Sequence, residues 1–508
     1  MQDNFLGLEL LIPLLAGITL SFFIESLLQP RVIPVWKRGF FAFSIHTGIF
    51  LLVFTVLFAL LLRPWFSIVI VLAFILFVVQ VNNAKFHSLR EPFIYQDFEY
   101  FTDAIKHPRL YIPFLGLIKA LIIFVSFSGA FFAGLILESP VDITTIESGE
   151  YNSILGIFLC GLLLLWFGAK QKLTVVFDPV VDLCKLGLIS SLWRYAEEER
   201  KGFSFTPEKW TIKESSSPDI LENLVVVQSE SFFDVRRLFS GINKNVLQEF
   251  DKLQASSALY GQIEVAAWGA NTVRTEFSFL SGLTPSKLGI HQFNPYRRFA
   301  KQDNLSTLAS FMKEKGYRTV CVHPYQSSFY ERNKVFPKLG FDEFIDISHF
   351  ENVEKTGPYI GDIALADKVC SILDESIDNP IFIFVITMEN HGPLHMEKVE
   401  PSDIGKLYIE PVPEGCDDLT IYLRHTLNAD RMAGILRDKI SSLPRSGWLC
   451  WYGDHVPIMP SVYSIMGTPE GETDYFIWGS VDKAAKSNKQ IKIEYLASVL
   501  LQKMKFFI

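Results

Sequence analysis

The sequence predicts an α/β domain carried behind a five-helix transmembrane anchor, its mostly parallel sheet covered by helices on both faces. Three observations predict it. Apolar residues crowd the first third of the 508-residue chain into five long stretches. Beyond about residue 215, short apolar runs alternate with amphipathic helical patterns, as in a sheet wound by crossover helices. Two of those runs, Asn223 to Val227 and Trp448 to Tyr452, lead into Gln228-Ser229-Glu230 and Gly453-Asp454-His455. In an open α/β sheet, ligands gather outside the carboxyl ends of the strands, so Glu230 with Asp454 and His455 suggests a shared cation.

The apolar stretches run from about Phe5 to Leu28, Phe40 to Leu62, Trp65 to Val81, Tyr111 to Leu137 and Ile154 to Phe167. A hydrocarbon core needs about 20 helical residues, so the third and fifth stand at the short limit. No small-residue cleavage site follows the first, which therefore reads as an anchor and not as a removed signal peptide. Asn82 to Arg109 interleaves aromatics with charges, a composition suited to interfacial helices. Val175 to Lys201 is similar and leads to a Pro- and Ser-containing linker, Thr206 to Pro218. The expected division is thus a membrane domain over 1–173 (interfacial segment 82–110), an interfacial helix and linker over 174–218, and a catalytic domain over 219–508. Glu9, Glu25 and His46 are ionisable residues within apolar spans, where such groups are costly; function and an interfacial position are both open readings.

The net charge of −8 provides no basic face and excludes nucleic acid as a partner. The six cysteines show neither CxxC spacing nor a disulfide framework, and read as small buried hydrophobes. Loop charges give an orientation. With five spans, Arg31, Lys37, Arg38, Lys85, Arg90, Lys106 and Arg109 share a side with the catalytic domain, and the opposite loop Glu138 to Glu150 has no Lys or Arg. Taken alone, the positive-inside rule places that domain in the cytoplasm.

Expected strands are Leu224 to Gln228, Gly261 to Ala266, Arg318 to His323, Ile381 to Thr387, Trp448 to Tyr452 and Tyr475 to Trp478. Expected helices are Leu305 to Lys315, Ile363 to Glu375, Leu419 to Ile440 and Ile493 to Met504. After the second strand comes Trp268-Gly269-Ala270-Asn271-Thr272 and a helix from near Val273. A Thr there is ordinarily an N-cap, and Glu276 would merely favour the positive end of the dipole. The same geometry also suits a nucleophile, since helix N–H groups attract a phosphate while a cation lowers the hydroxyl pKa.

Glu230 in QSES, Thr272 in NTVRTEF, His323 with Tyr330 and Arg332 in HPYQSSFYER, Asn390-His391-Gly392-Pro393, and Asp454-His455 in YGDHVP occur in that order. The ordered set resembles the lipoteichoic acid synthase and phosphoglycerol transferase family, within the alkaline phosphatase and sulfatase superfamily, over nearly the whole chain. The resemblance implies a sulfatase-like catalytic domain in which Glu230, Thr272, Asp454 and His455 ligate one divalent cation, manganese or magnesium first and zinc second. Thr272 would also be the nucleophile. His323, Arg332 and His391 match positions that hold the phosphoglycerol group, with His391 suited to protonate a leaving alkoxide, and Tyr330 stands where the family has an aromatic against the glycerol. Two positions depart from the synthases: Asn271 replaces their lysine and Tyr330 their tryptophan, which questions polymerising activity.

The implied reaction transfers glycerol phosphate from phosphatidylglycerol to a glycan or lipid acceptor through a covalent Thr272 intermediate. The family's envelope acceptors would put the domain outside the cytoplasm, against the loop charges, at a multi-pass cell membrane. A phosphoethanolamine transferase and a superfamily hydrolase are the enzymatic alternatives. A sulfatase needs a Cys or Ser for formylglycine, which Thr272 cannot supply. A non-catalytic scaffold would have no use for the complete ligand set.

Overall fold

The computed structural model describes residues 5–99, 117–141, 148–171, 173–201, 220–299, 305–353, 355–481 and 487–506. The chain divides into two compact units, Met1–Phe203 and Ser204–Ile508.

Among its described residues the first unit has five apolar helices, Phe5–Glu25, Phe40–Leu61, Pro64–Leu89, Leu117–Leu137 and Ser148–Lys170, one for each expected stretch. Phe40–Leu61, Pro64–Leu89 and Tyr151–Lys170 are long and apolar enough to cross a membrane, while Leu10–Glu25 and Phe127–Leu137 are shorter apolar stretches. The second and fifth helices approach through glycine: a Cβ on Gly48 would meet Leu165 N at 2.7 Å. The third helix corrects the expected end at Val81 by running on to Leu89. Its polar residues 82 and 83 stay helical because they bind a neighbouring loop: Asn82 Nδ2 donates to Gln29 O, and Gln29 N donates to Asn83 Oδ1, each at 2.7 Å. The later part of the expected interfacial segment, 100–110, and the linker at 206–218 lie outside the described residues.

Residues 175–201 form the helices Pro179–Leu186 and Leu188–Arg200, the first capped by Asp178, whose carboxylate accepts from Val180 N and Val181 N. Glu25 is wholly buried within the protein: it pairs with Arg38 and accepts from Leu188 N at 2.6 Å, with His46 Nδ1 at 3.6 Å. Glu9's side chain lies outside the described residues.

The second unit is built on an eight-stranded sheet. Its strands are β1 (Asn223–Ser229), β2 (Leu259–Glu264), β3 (Arg318–Val322), β4 (Glu343–Ile345), β7 (Ile381–Ile386), β8 (Gly447–Gly453), β9 (Thr473–Gly479) and β10 (Ile491–Lys492), in the order β10-β2-β9-β8-β1-β7-β3-β4. A separate hairpin pairs β5 (Lys355–Thr356) with β6 (Tyr359–Ile360). Among the described strands of the eight-stranded sheet, only β9 runs antiparallel to its neighbours. The six expected strands are present to within two residues; β4, β5, β6 and β10, two or three residues each, offer no apolar run to read.

β1, β7 and β8 are buried along their whole length, which is why they read as continuous apolar runs. On one face Val225 and Val227 pack in the core with Leu365 and Val369 of helix Asp362–Glu375 and Tyr422 and Met432 of helix Asp417–Ser442. On the other, Phe279 of helix Thr272–Ser281 stacks on Phe384 at 5.9 Å and meets Tyr452 at 4.9 Å. The register aligns Gln228 with Ile386 and Tyr452, so β1, β7 and β8 end side by side.

Candidate active site

The chain leaves β1 through Ser231, held at φ 55°, in the left-handed region that non-glycine residues seldom adopt. Its N–H donates to Asp454 Oδ1 at 2.8 Å and its hydroxyl to Glu230 Oε1 at 2.9 Å. Glu230 N donates to Thr387 Oγ1 beyond β7 at 2.9 Å, and Asp454 N to Ser229 O at 3.2 Å. Gly453 makes this crossing possible, because a Cβ there would meet Phe232 O at 1.8 Å. Three strand ends are thereby sewn together.

Glu230, Asp454 and His455 are buried and converge. His455 Nδ1 donates to Val456 O at 3.0 Å, which leaves the Nε2 lone pair 3.5 Å from Glu230 Oε1 and 3.4 Å from Asp454 Oδ2. One cation with bonds of about 2.0–2.2 Å spans such separations. Asp454 Oδ2 is buried without a hydrogen-bond partner, a vacancy that a metal ion fits. Burial and the nearby Glu230 push the Asp454 carboxyl up to about 7 against the opposing pull of His455, the Ser231 amide and the Thr272 hydroxyl. Burial opposes charge on His455, yet Asp454 and Glu230 together raise its pKa. The cluster pushes the Asp454 carboxyl toward its neutral form and His455 toward its charged form, a conflict that a divalent cation among these ligands would relieve.

Thr272 opens the helix Thr272–Ser281, and the N-cap position belongs to Asn271, at φ 67° with no side-chain capping bond. Of the two readings of Thr272, the N-cap position thus goes to Asn271, and the Thr272 hydroxyl bonds the Asp454 side chain. Thr275 one turn later donates to Asp454 O at 2.9 Å and fixes the helix against the β8 end.

His323 follows β3, donating Nδ1–H to Ile386 O at 3.1 Å and facing Arg332 Nη1 with Nε2 at 3.3 Å. Burial and the Arg332 charge hold its pKa well below the ordinary histidine value, so the ring is neutral. Arg332 is buried and salt-bridged to Glu276 at 2.8 Å. Tyr330 lies with its ring 5.2 Å from the guanidinium carbon. Tyr330 and Glu331 both hold φ 54°, strain of the kind concentrated at functional sites. His391 donates Nδ1–H to Gly392 O at 2.8 Å and packs 5.6 Å from the Tyr359 ring.

All eight expected residues therefore gather around the ends of β1, β3, β7 and β8. Sequence reasoning missed Ser231, Tyr359 and Glu276. Glu276 does more than favour the helix dipole: it is fully buried and binds Arg332, and its i+4 relation to Thr272 was the available signal. No signal pointed to Tyr359. All six cysteines are free thiols; Cys321, Cys416 and Cys450 are buried as expected, whereas Cys184 and Cys370 are half-buried and Cys160 is exposed.

The chain is similar to known proteins over both units. A capsular polysaccharide biosynthesis protein, RkpI, of Rhizobium meliloti (strain 1021) is 27% identical over 467 residues, 87% of this chain and 83% of that one. Lipoteichoic acid synthase 2 of Bacillus subtilis (strain 168) is 24% identical over 182 residues, 34% of this chain and 27% of that one. Among solved structures, the integral membrane lipooligosaccharide phosphoethanolamine transferase A of Neisseria meningitidis shares the fold, with a TM-score of 0.56 at 14% identity over 97% of this chain and 96% of that one. The family described as Sulfatase matches residues 222–505, spanning every strand of the sheet and every residue of the site. The chain belongs to the Sulfatase family, within the alkaline phosphatase superfamily, and has lipoteichoic acid synthases among its relatives.

Proposed function

We propose that this protein is a membrane-held phosphotransferase that moves glycerol phosphate from phosphatidylglycerol to a glycan or lipid hydroxyl. The observation that carries the reading is the Thr272 hydroxyl, set at a helix start beside Glu230, Asp454 and His455, with Arg332 anchored one turn further along the same helix. Glu230, Thr272, Asp454 and His455 would hold one divalent cation, manganese or magnesium before zinc, whose chemistry is to lower the hydroxyl pKa and neutralise phosphate charge.

Thr272 Oγ, having given up its proton to solvent, attacks the phosphorus of the donor, the bond to the diacylglycerol oxygen breaks, and Thr272 carries glycerol phosphate. His391, its Nδ1–H fixed by Gly392 O, gives a proton from Nε2 to the leaving alkoxide and then takes one from the acceptor hydroxyl. The acceptor oxygen attacks the same phosphorus and frees Thr272. Arg332 grips the phosphate oxygens, neutral His323 accepts from its guanidinium and helps hold it beside them, and Tyr330 lies against the glycerol. The capsular polysaccharide relative favours a glycan acceptor, and a glycan acceptor would be met outside the cytoplasm.

Incubation with labelled phosphatidylglycerol, followed by mass spectrometry of enzyme and lipid, tests this. A glycerol phosphate adduct on Thr272 with released diacylglycerol is expected; an adduct on Ser278 or Ser281 would relocate the nucleophile. A reporter fused after Ile508 tests orientation, and a cytoplasmic signal there would require a different acceptor pool.

A further inference from the structure

Glu276 lies one turn beyond Thr272 and is wholly buried. A buried carboxylate has to be paired and hydrogen-bonded, and this one is saturated. Its Oε2 accepts Arg332 Nη2 at 2.8 Å; its Oε1 accepts Arg332 Nε at 3.2 Å and the Tyr296 hydroxyl. Gln228 Nε2 stands 3.5 Å from Oε2, and Gln228 Oε1 accepts the Tyr452 hydroxyl at 2.7 Å. A polar rail thus runs from β8 through β1 to the carboxylate and on to the guanidinium.

A guanidinium carries five N–H donors in a fixed plane. Glu276 takes Nε–H and one hydrogen of Nη2, and His323 Nε2 takes one of Nη1. One N–H remains on each terminal nitrogen. Two coplanar N–H groups are what a pair of phosphate oxygens accepts from arginine.

We infer that Glu276 is a positioning residue for the transfer reaction: it grips Arg332 along one edge, so that the remaining N–H pair meets the phosphate in a fixed direction. The inference rests on the reading of Arg332 as the phosphate-holding residue. The charge balance supports direction over attraction as the purpose. A negative carboxylate beside the guanidinium weakens its pull on an anion, so tight phosphate binding alone would favour a neutral partner in this place. What Glu276 contributes is a guanidinium that cannot swing, which matters most when the phosphorus is being attacked.

Glu276→Gln removes the charge and one of the two grips while keeping the shape. For the full-length enzyme in detergent, the expected result is a kcat for transfer from phosphatidylglycerol lower by about a hundredfold, with KM not raised. Inhibition by inorganic phosphate should be unchanged or tighter, because the Arg332 charge is no longer offset. A merely structural residue would instead lower the fraction of active enzyme, read as manganese-binding stoichiometry, and leave kcat per active site intact. Coupling gives the second readout: in an Arg332→Ala background, Glu276→Gln should cost nothing further. Wild-type kcat in Glu276→Gln, or a loss that adds in full to that of Arg332→Ala, overturns the inference. Wild-type transfer by Arg332→Ala alone overturns the reading of Arg332 itself, a distinguishable failure. Should Glu276→Gln not fold, Glu276→Asp keeps the charge, shortens the reach by one methylene, and is expected to lower kcat without tightening phosphate inhibition; an unchanged kcat there overturns the inference equally.

Discussion

The backbone N–H of Ser231 donates to Asp454 Oδ1 at 2.8 Å, and this bond ties the end of β1 to the end of β8 where the candidate metal ligands stand. Asp454 Oδ2 is buried without a hydrogen-bond partner, and Glu230 is steadied by the Ser231 hydroxyl. Ser231→Ala removes the hydroxyl and keeps the backbone bond, so Asp454 stays in place while Glu230 loosens. Manganese affinity, measured by calorimetry, should fall about 10–100-fold, the usual cost of losing a partner behind a metal ligand. Chelation should abolish transfer and added manganese restore it. Full activity of metal-free enzyme would remove the cation from the mechanism.

Thr272→Ala should lower transfer by more than about a thousandfold, since loss of a nucleophile is not compensated by the binding groups that remain. Melting temperature should change little, because Asn271 and not Thr272 occupies the N-cap position and Thr275 holds the helix to Asp454 O. Thr272→Ser, which keeps a hydroxyl, should retain measurable turnover. Adduct formation by Thr272→Ala at the wild-type rate would end the assignment.

The alternation of apolar runs and helical patterns was enough to read six strands, because β1, β7 and β8 are buried on both faces and carry no polar interruption. The candidate metal ligands stood out for a related reason: they directly follow such runs, as Glu230 follows β1 and Asp454 follows β8. What was hidden depends on contacts between segments far apart in the chain. Glu276 pairs with Arg332 and Tyr359 packs on His391, and neither partner lies on the same element. The third apolar helix was cut short because Asn82 and Asn83 look like an ending until Gln29 is seen to satisfy them.

His323 makes stability depend on pH in a definite direction. Burial and the Arg332 charge hold its folded pKa well below the ordinary value, so the unfolded chain binds this proton more readily. Stability from this group is complete above about pH 6.5 and is lost as pH falls below it. His323→Gln keeps an acceptor for Arg332 and does not titrate. Thermal melts should therefore show wild type losing ground to His323→Gln between about pH 7.5 and pH 5.5. A constant difference across that interval would mean that the ring is charged or exposed in the folded protein.

Donor choice follows from what surrounds the phosphate. Arg332, His323 and Tyr330 offer N–H groups, a neutral imidazole and an aromatic face with a hydroxyl, groups suited to a phosphate bearing a small polyol. An ethanolamine ammonium would need a free carboxylate in this segment, and Glu331 there is paired with Lys334 at 2.5 Å on the surface. Arg332→Ala should therefore cost about 2–5 kcal/mol in transition-state stabilisation, because it strands a buried phosphate charge. Tyr330→Ala should cost less, since it removes packing and leaves that charge paired. With purified enzyme, diacylglycerol release should be faster from phosphatidylglycerol than from phosphatidylethanolamine. The reverse preference would make the protein a phosphoethanolamine transferase working with the same nucleophile and the same ligands.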